Sequence, residues 1–117
     1  MKKRINSRVK GRNAELAWKK LMESAGWTVL LVKPPKKYDK ENDFFNLYDG
    51  IAYKGKYRKY VQIKCNRMIG KRDRLKYIEW GNRFGNEYET VEIWVKYDNK
   101  PVSERWHAHI LWNEGGE

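Results

Sequence analysis

The sequence predicts an α/β fold: a central mixed β-sheet of about five strands with helices packed on it. Three observations carry this expectation. Residues 11–25 place their apolar side chains at helical period, the later segments around Val61 and Ile93 alternate as half-buried strands do, and the predicted elements run helix, three strands, helix, two strands.

In the first segment, GRNAELAWKKLMESA, a rotation of 100° per residue gathers Ala14, Ala17, Trp18, Leu21, Met22 and Ala25 on one stripe, with Lys19, Lys20 and Glu23 opposite. Gly26 is its expected stop, and the basic residues 1–10 before it read as a loose arm. WTVLLVK at 27–33 is apolar and β-rich, and Pro34-Pro35 end it. PPKKYDKENDFFN then makes a loop of unusual length for a small domain, and such loops are often functional.

LYDGIAY at 47–53 and KYRKYVQIKC at 56–65 read as a hairpin around Lys54-Gly55-Lys56. With Gly55 at the positive-φ position of a two-residue type II′ turn, Lys54 pairs with Tyr57 and Asp49 falls opposite Gln62. Asp49, Gln62 and Lys64 would then share one face. Residues 73–84 predict a second helix, 90–97 an alternating strand, 98–101 a turn and 105–112 a last strand.

The chain has 117 residues, which favours one domain spanning 1–117 with one modest core. Its net charge of +11 is combined with 15% aromatic residues, a composition that fits a nucleic-acid partner: phosphates attract the charge and rings offer stacking surfaces. A basic chain that is merely soluble remains the plainer reading. Cys65 is the only cysteine, so an internal disulfide is excluded, and a reducing, cytoplasmic setting is expected. No apolar run approaches the ~20 residues of a membrane span, and no signal-peptide core follows MKKRINSRVKGR.

Chemistry concentrates in YVQIKCN. Val61, Ile63 and Cys65 alternate with Tyr60, Gln62 and Lys64, which leaves an amide and an ammonium side by side on one face. Alone, that pattern is a satisfied Gln and a solvated Lys. Glu15 at the edge of the helical stripe and Asp49 in an otherwise apolar segment change the weighing. Two carboxylates and an amide oxygen can hold a hard divalent cation, and a lysine beside it can orient water or neutralise a phosphate.

In order and spacing, KGRNAE, the strand aspartate and QIK resemble the PD-(D/E)xK nuclease superfamily, and within it the archaeal-type Holliday-junction resolvases of archaea, their viruses and some phages. The resemblance covers roughly residues 10–85. It implies a restriction-endonuclease-like core, DNA cleavage with Mg²⁺ or Mn²⁺, branched DNA as partner and a homodimer; for a viral protein, the host cytoplasm would be the setting. Carried over by position, Glu15, Asp49 and Gln62 would be metal ligands and Lys64 the catalytic lysine. Two departures stand out: Tyr48 replaces the proline expected before the aspartate, and Gln62 replaces the second acid. A related nuclease acting on flaps, nicks, duplex or RNA, and a non-catalytic nucleic-acid binder on the same fold, are the alternatives.

Lys2, Lys3, Arg4, Arg8, Lys10 and Arg12 flank the helix that carries Glu15, and Arg67, Lys71, Arg72 and Arg74 follow the QIK strand; both groups are candidate phosphate contacts. Asp43 is the second choice for the central acid, while Asp39 and Glu41 read as solvated. His107 and His109 alternate on the last strand but lack further ligands, so a surface or packing role is expected. Trp80 and Phe84 fit either core or a dimer face.

Overall fold

The computed structural model describes residues 7–32 and 47–113. Two helices and five strands follow one another as α1 (Ser7–Ser24), β1 (Thr28–Leu31), β2 (Gly50–Lys54), β3 (Tyr57–Cys65), α2 (Lys71–Phe84), β4 (Glu89–Lys96) and β5 (Trp106–Trp112). The strands lie side by side in chain order. Neighbours are antiparallel except β3 and β4, which run parallel with α2 as their crossover. The mixed five-stranded sheet flanked by helices is the architecture the sequence predicts.

Strand alternation divides the core in two. Val61 and Ile63 of β3, Ala52 of β2 and Val29 of β1 pack against Ala14, Trp18 and Met22 of α1. Tyr60 of β3 and Val91, Ile93 and Val95 of β4 face the other way, against Tyr48 and Tyr77 of α2. Trp80 belongs to this second core, with its ring centroid 4.7 Å from that of Tyr60 and 5.1 Å from that of Tyr48. Phe84, one turn on, is 59% exposed and touches only the outer side of Trp80 within this aromatic row.

The helices approach the sheet where glycine permits it. A β-carbon on Gly50 would lie 2.7 Å from the Trp18 ring, so the fully buried indole rests directly on the start of β2. A β-carbon on Gly81 would lie 2.4 Å from Trp112, which lets β5 close against α2; Trp112 also donates from Nε1 to Asn82 at 2.8 Å. Among buried charges, Lys59 and Glu92 meet at 2.9 Å on the α1 side, and Glu92 also accepts from the Thr90 hydroxyl and the Trp94 indole. This satisfies the requirement that a buried carboxylate be paired and hydrogen-bonded.

Several element ends differ from expectation, three of them with a bearing on the site. The first helix begins at Ser7, a full turn before Gly11, so the expected arm is shorter than residues 1–10. The reason is tertiary: Lys10 pairs with Asp98 at 3.4 Å, and its carbonyl accepts the Cys65 thiol at 3.9 Å, docking this turn on the sheet. The second helix starts at Lys71, two residues early. Most informative is β2, expected from Leu47: the strand begins at Gly50, and Asp49 occupies a bend before it. The expected loop with Asp39, Glu41 and Asp43 lies outside the described residues.

Candidate functional site

The hairpin that carries the site closes as the turn chemistry demands. Gly55 has φ +59°, and Lys54 pairs with Tyr57, so β2 and β3 run in the predicted register to Gly50 opposite Val61. There the ladder stops being made by backbone alone. The Asp49 N–H donates to the Val61 carbonyl at 3.0 Å, while the Asp49 carboxylate accepts the Ile63 N–H at 3.0 Å. A side-chain oxygen has taken the place of a ladder carbonyl. An acid is disfavoured within a strand, but at this bend it has a specific backbone donor to satisfy.

That hydrogen bond anchors Asp49 on the residue between Gln62 and Lys64. Alternation directs Gln62 and Lys64 to the Tyr60 face, whereas α1 covers the Val61–Ile63 face. Glu15 therefore comes from the opposite layer. Its link to the site is Arg12, whose guanidinium donates to Glu15 and to the Val32 carbonyl, each at 3.1 Å. Val32 in turn donates its N–H to the Asp49 carbonyl at 3.0 Å. A continuous path thus runs Glu15, Arg12, Val32, Asp49, Ile63. It ties both carboxylates to the end of the sheet where β2 breaks off. Arg12, a candidate phosphate contact by sequence, is committed to this internal path.

Gln62 supplies the most unusual local feature. Its Oε1 is buried and has no hydrogen-bond partner among the described residues. A desolvated carbonyl oxygen left unpaired costs about 1–3 kcal/mol, which a cation ligand would relieve. Carboxylate and amide oxygens are the ligand types that Mg²⁺ and Mn²⁺ prefer. Among the described residues no cluster of three or more His, Cys, Asp or Glu could hold a metal, so an ion here would depend on the amide.

Lys64 lines an open pocket of about 240 Å³ with Arg67, Met68, Ile69, Gly70 and Asp73. The pocket lies at the corner from β3 into α2. Arg67, Lys71 and Arg72 are exposed at this corner, while Arg74 is half-buried with its Nε unpartnered among the described residues. Arg8 lies in the first turn of α1, and Lys3 and Arg4 lie outside the described residues.

Two residues overlooked in the sequence hold this corner. Asn66 ends β3 in the left-handed region at φ 64° and donates its N–H to the Lys96 carbonyl at 2.8 Å. Its amide exchanges hydrogen bonds with Asp98, giving Nδ2 to the carboxylate at 3.2 Å and accepting the Asp98 N–H at 2.9 Å. Burial acts to raise the Asp98 pKa, but the Asn66 hydrogen bond and the Lys96 and Lys10 ammonium groups outweigh it, so the carboxyl is held below its usual range. The available signal was an asparagine directly after a strand, since Asn tolerates the left-handed conformation.

The other candidates have structural surroundings. Burial pushes the Cys65 thiol up, away from reactivity. Desolvation, with help from Tyr77 and Tyr60, raises the Tyr48 hydroxyl far above its ordinary value, so it stays neutral. His107 is exposed with its ring 5.1 Å from that of Tyr97, and His109 is half-buried.

No protein-family model matches the chain, and no curated protein sequence matches it. Among solved structures, the Holliday junction resolvase Hjc of the archaeal hyperthermophile Archaeoglobus fulgidus is similar, with a TM-score of 0.60 and 14% identity over 87% of this chain and 73% of that one. At this identity the likeness establishes a shared fold.

Proposed function

We propose that the chain is a metal-dependent endonuclease whose preferred substrate is a four-way DNA junction. The observation that carries this reading is the Asp49 carboxylate bound to the Ile63 N–H, between Gln62 and Lys64, in a fold shared with a junction resolvase. The net charge of +11 supplies attraction for the phosphate backbone.

In this reading Glu15, Asp49 and the Gln62 Oε1 hold Mg²⁺ or Mn²⁺, which when bound supplies Lewis acidity at the scissile phosphate. The chain's own residues do the rest. Lys64 places its ammonium against a non-bridging phosphate oxygen and orients the attacking water. Arg12 keeps Glu15 in place, and the Ile63 N–H fixes one oxygen of Asp49 so that the carboxylate cannot rotate away. The water oxygen bonds to phosphorus and gives up one proton to solvent, one ester P–O bond breaks, and the departing oxygen takes up a proton from solvent. In a homodimer, two such sites related by a twofold axis would cut opposite strands of a symmetric junction.

A labelled four-way junction incubated beside a duplex of matched sequence, with Mg²⁺ or with EDTA, tests this function. Expected is cleavage that requires Mg²⁺ and favours the junction. Cleavage of duplex alone would move the substrate to another nuclease class. A specific observation favours a second reading: with an amide in place of one acid, and no three-acid cluster among the described residues, the chain could bind nucleic acid without cutting it. Binding without cleavage in Mg²⁺ or Mn²⁺ would select that reading.

A further inference from the structure

At the opposite end of β3 from Lys64, the β2–β3 turn presents Lys54, Lys56 and Arg58 beside the rings of Tyr57 and Tyr88. We propose that this turn is a second DNA contact, which grips the phosphate backbone of the duplex arm leading away from the candidate site. The proposal rests on the nuclease reading above and adds to it a surface outside the catalytic constellation.

Lys56 is the central residue of this surface. The two-residue turn puts it at the tip, exposed to solvent. Its ammonium lies 4.4 Å over the Tyr88 ring and 5.8 Å from that of Tyr57, and the two rings meet edge to face at 5.9 Å. An aromatic floor therefore fixes the position of the charge without neutralising it. Neighbouring cations are committed differently: Arg58 approaches Glu89 at 3.6 Å, Lys59 is buried against Glu92 at 2.9 Å, and Lys54 donates to the Ala25 carbonyl at 3.1 Å. Lys56 is thus an exposed cation of this end held by rings rather than by a carboxylate or a carbonyl, and Tyr57 and Tyr88 are half-buried rings able to support a sugar edge.

Spacing selects the arm. Seven residue steps separate Tyr57 from Lys64, about 23 Å at a rise of roughly 3.3 Å per residue. At about 3.4 Å per base pair, a straight duplex arm that starts with its scissile phosphate at Lys64 and runs outside the helix layers, parallel to β3, draws level with the turn about seven base pairs away. An arm shorter than that cannot reach Lys56.

The test uses the full chain in EDTA, where cleavage is blocked, with fluorescent four-way junctions whose hairpin-capped arms are about 5 or about 15 base pairs long. Wild type should bind the long-armed junction more tightly. Lys56→Glu should weaken that binding several-fold, and Lys56→Ala should make its log–log salt dependence shallower by about 0.9, the loss of one phosphate contact. Neither change should alter binding to short arms. Thermal unfolding of both variants, expected at the wild-type temperature, separates a lost contact from a damaged fold. Wild-type affinity and salt slope in both variants on long arms would overturn the second contact and leave the nuclease reading standing. A wild-type chain that binds no junction at all would overturn both.

Discussion

At the scale of single residues, the candidate site is built from substitutions of one hydrogen-bonding group for another. Asp49 replaces a strand carbonyl as acceptor for the Ile63 N–H, and Gln62 stands where the resemblance calls for an acid. The second replacement has a measurable consequence. If the buried Gln62 Oε1 is a ligand, Gln62→Glu adds a full negative charge to the donor set and should tighten Mn²⁺ binding about three- to tenfold, since affinity for hard cations rises with ligand charge. Calorimetric titration of wild type and variant with Mn²⁺ gives the comparison. Equal affinities would place the Gln62 side chain away from any bound ion. Asp49 stands out in the sequence as an acid inside an apolar segment, whereas Glu15, Gln62 and Lys64 draw attention only in combination with it. Arg12 was legible only as a charge, because its two acceptors belong to the helix itself and to Val32, twenty residues on.

At the scale of elements, local pattern located every helix and strand, and tertiary contact moved their ends. Gly11 looked like a helix boundary, but Lys10 is held by Asp98 and by the Cys65 thiol, and α1 continues through the glycine. The β2 boundary moved for the opposite reason: Leu47 and Tyr48 are apolar as a strand would require, yet Tyr48 is consumed by the second core and Asp49 turns the chain to reach Ile63. The short 3₁₀ turn at Val102–Glu104 carried no periodic signal at all. Contact also reverses a propensity rule in α2. Alanine ordinarily stabilises a helix interior relative to glycine by about 1 kcal/mol. At Gly81 the new methyl would meet the Trp112 ring at 2.4 Å, so Gly81→Ala should instead destabilise by about 1–3 kcal/mol, the usual range for overpacking. Urea unfolding checks the sign; a stabilised variant would mean that β5 is free to move off α2.

At the scale of the molecule, the sheet separates two tasks. Its α1 side is closed by Trp18, the Lys59–Glu92 pair and the aliphatic residues of β1, β2 and β3, while the other face of β3 carries Gln62 and Lys64, with Asp49 bonded to the Ile63 N–H between them and a basic corner beyond. The fold class was readable from element order, because a parallel β3–β4 pair needs the crossover that α2 provides. The position of Glu15 relative to Asp49 was not readable, because it depends on which face α1 covers. No helix among the described residues is long and apolar enough to cross a membrane, consistent with the sequence expectation on that point. The proposed reaction is phosphodiester hydrolysis at this one end of the sheet. Its most direct measurement is the single-turnover cleavage rate of a labelled four-way junction in Mg²⁺ by wild type, Asp49→Asn and Lys64→Ala, with binding measured in parallel. Expected are cleavage by wild type, a loss of about 10²-fold or more in each variant, and junction affinity within about threefold of wild type, because distributed phosphate contacts carry the binding. Cleavage by both variants at the wild-type rate would contradict it and place the chemistry elsewhere on the chain.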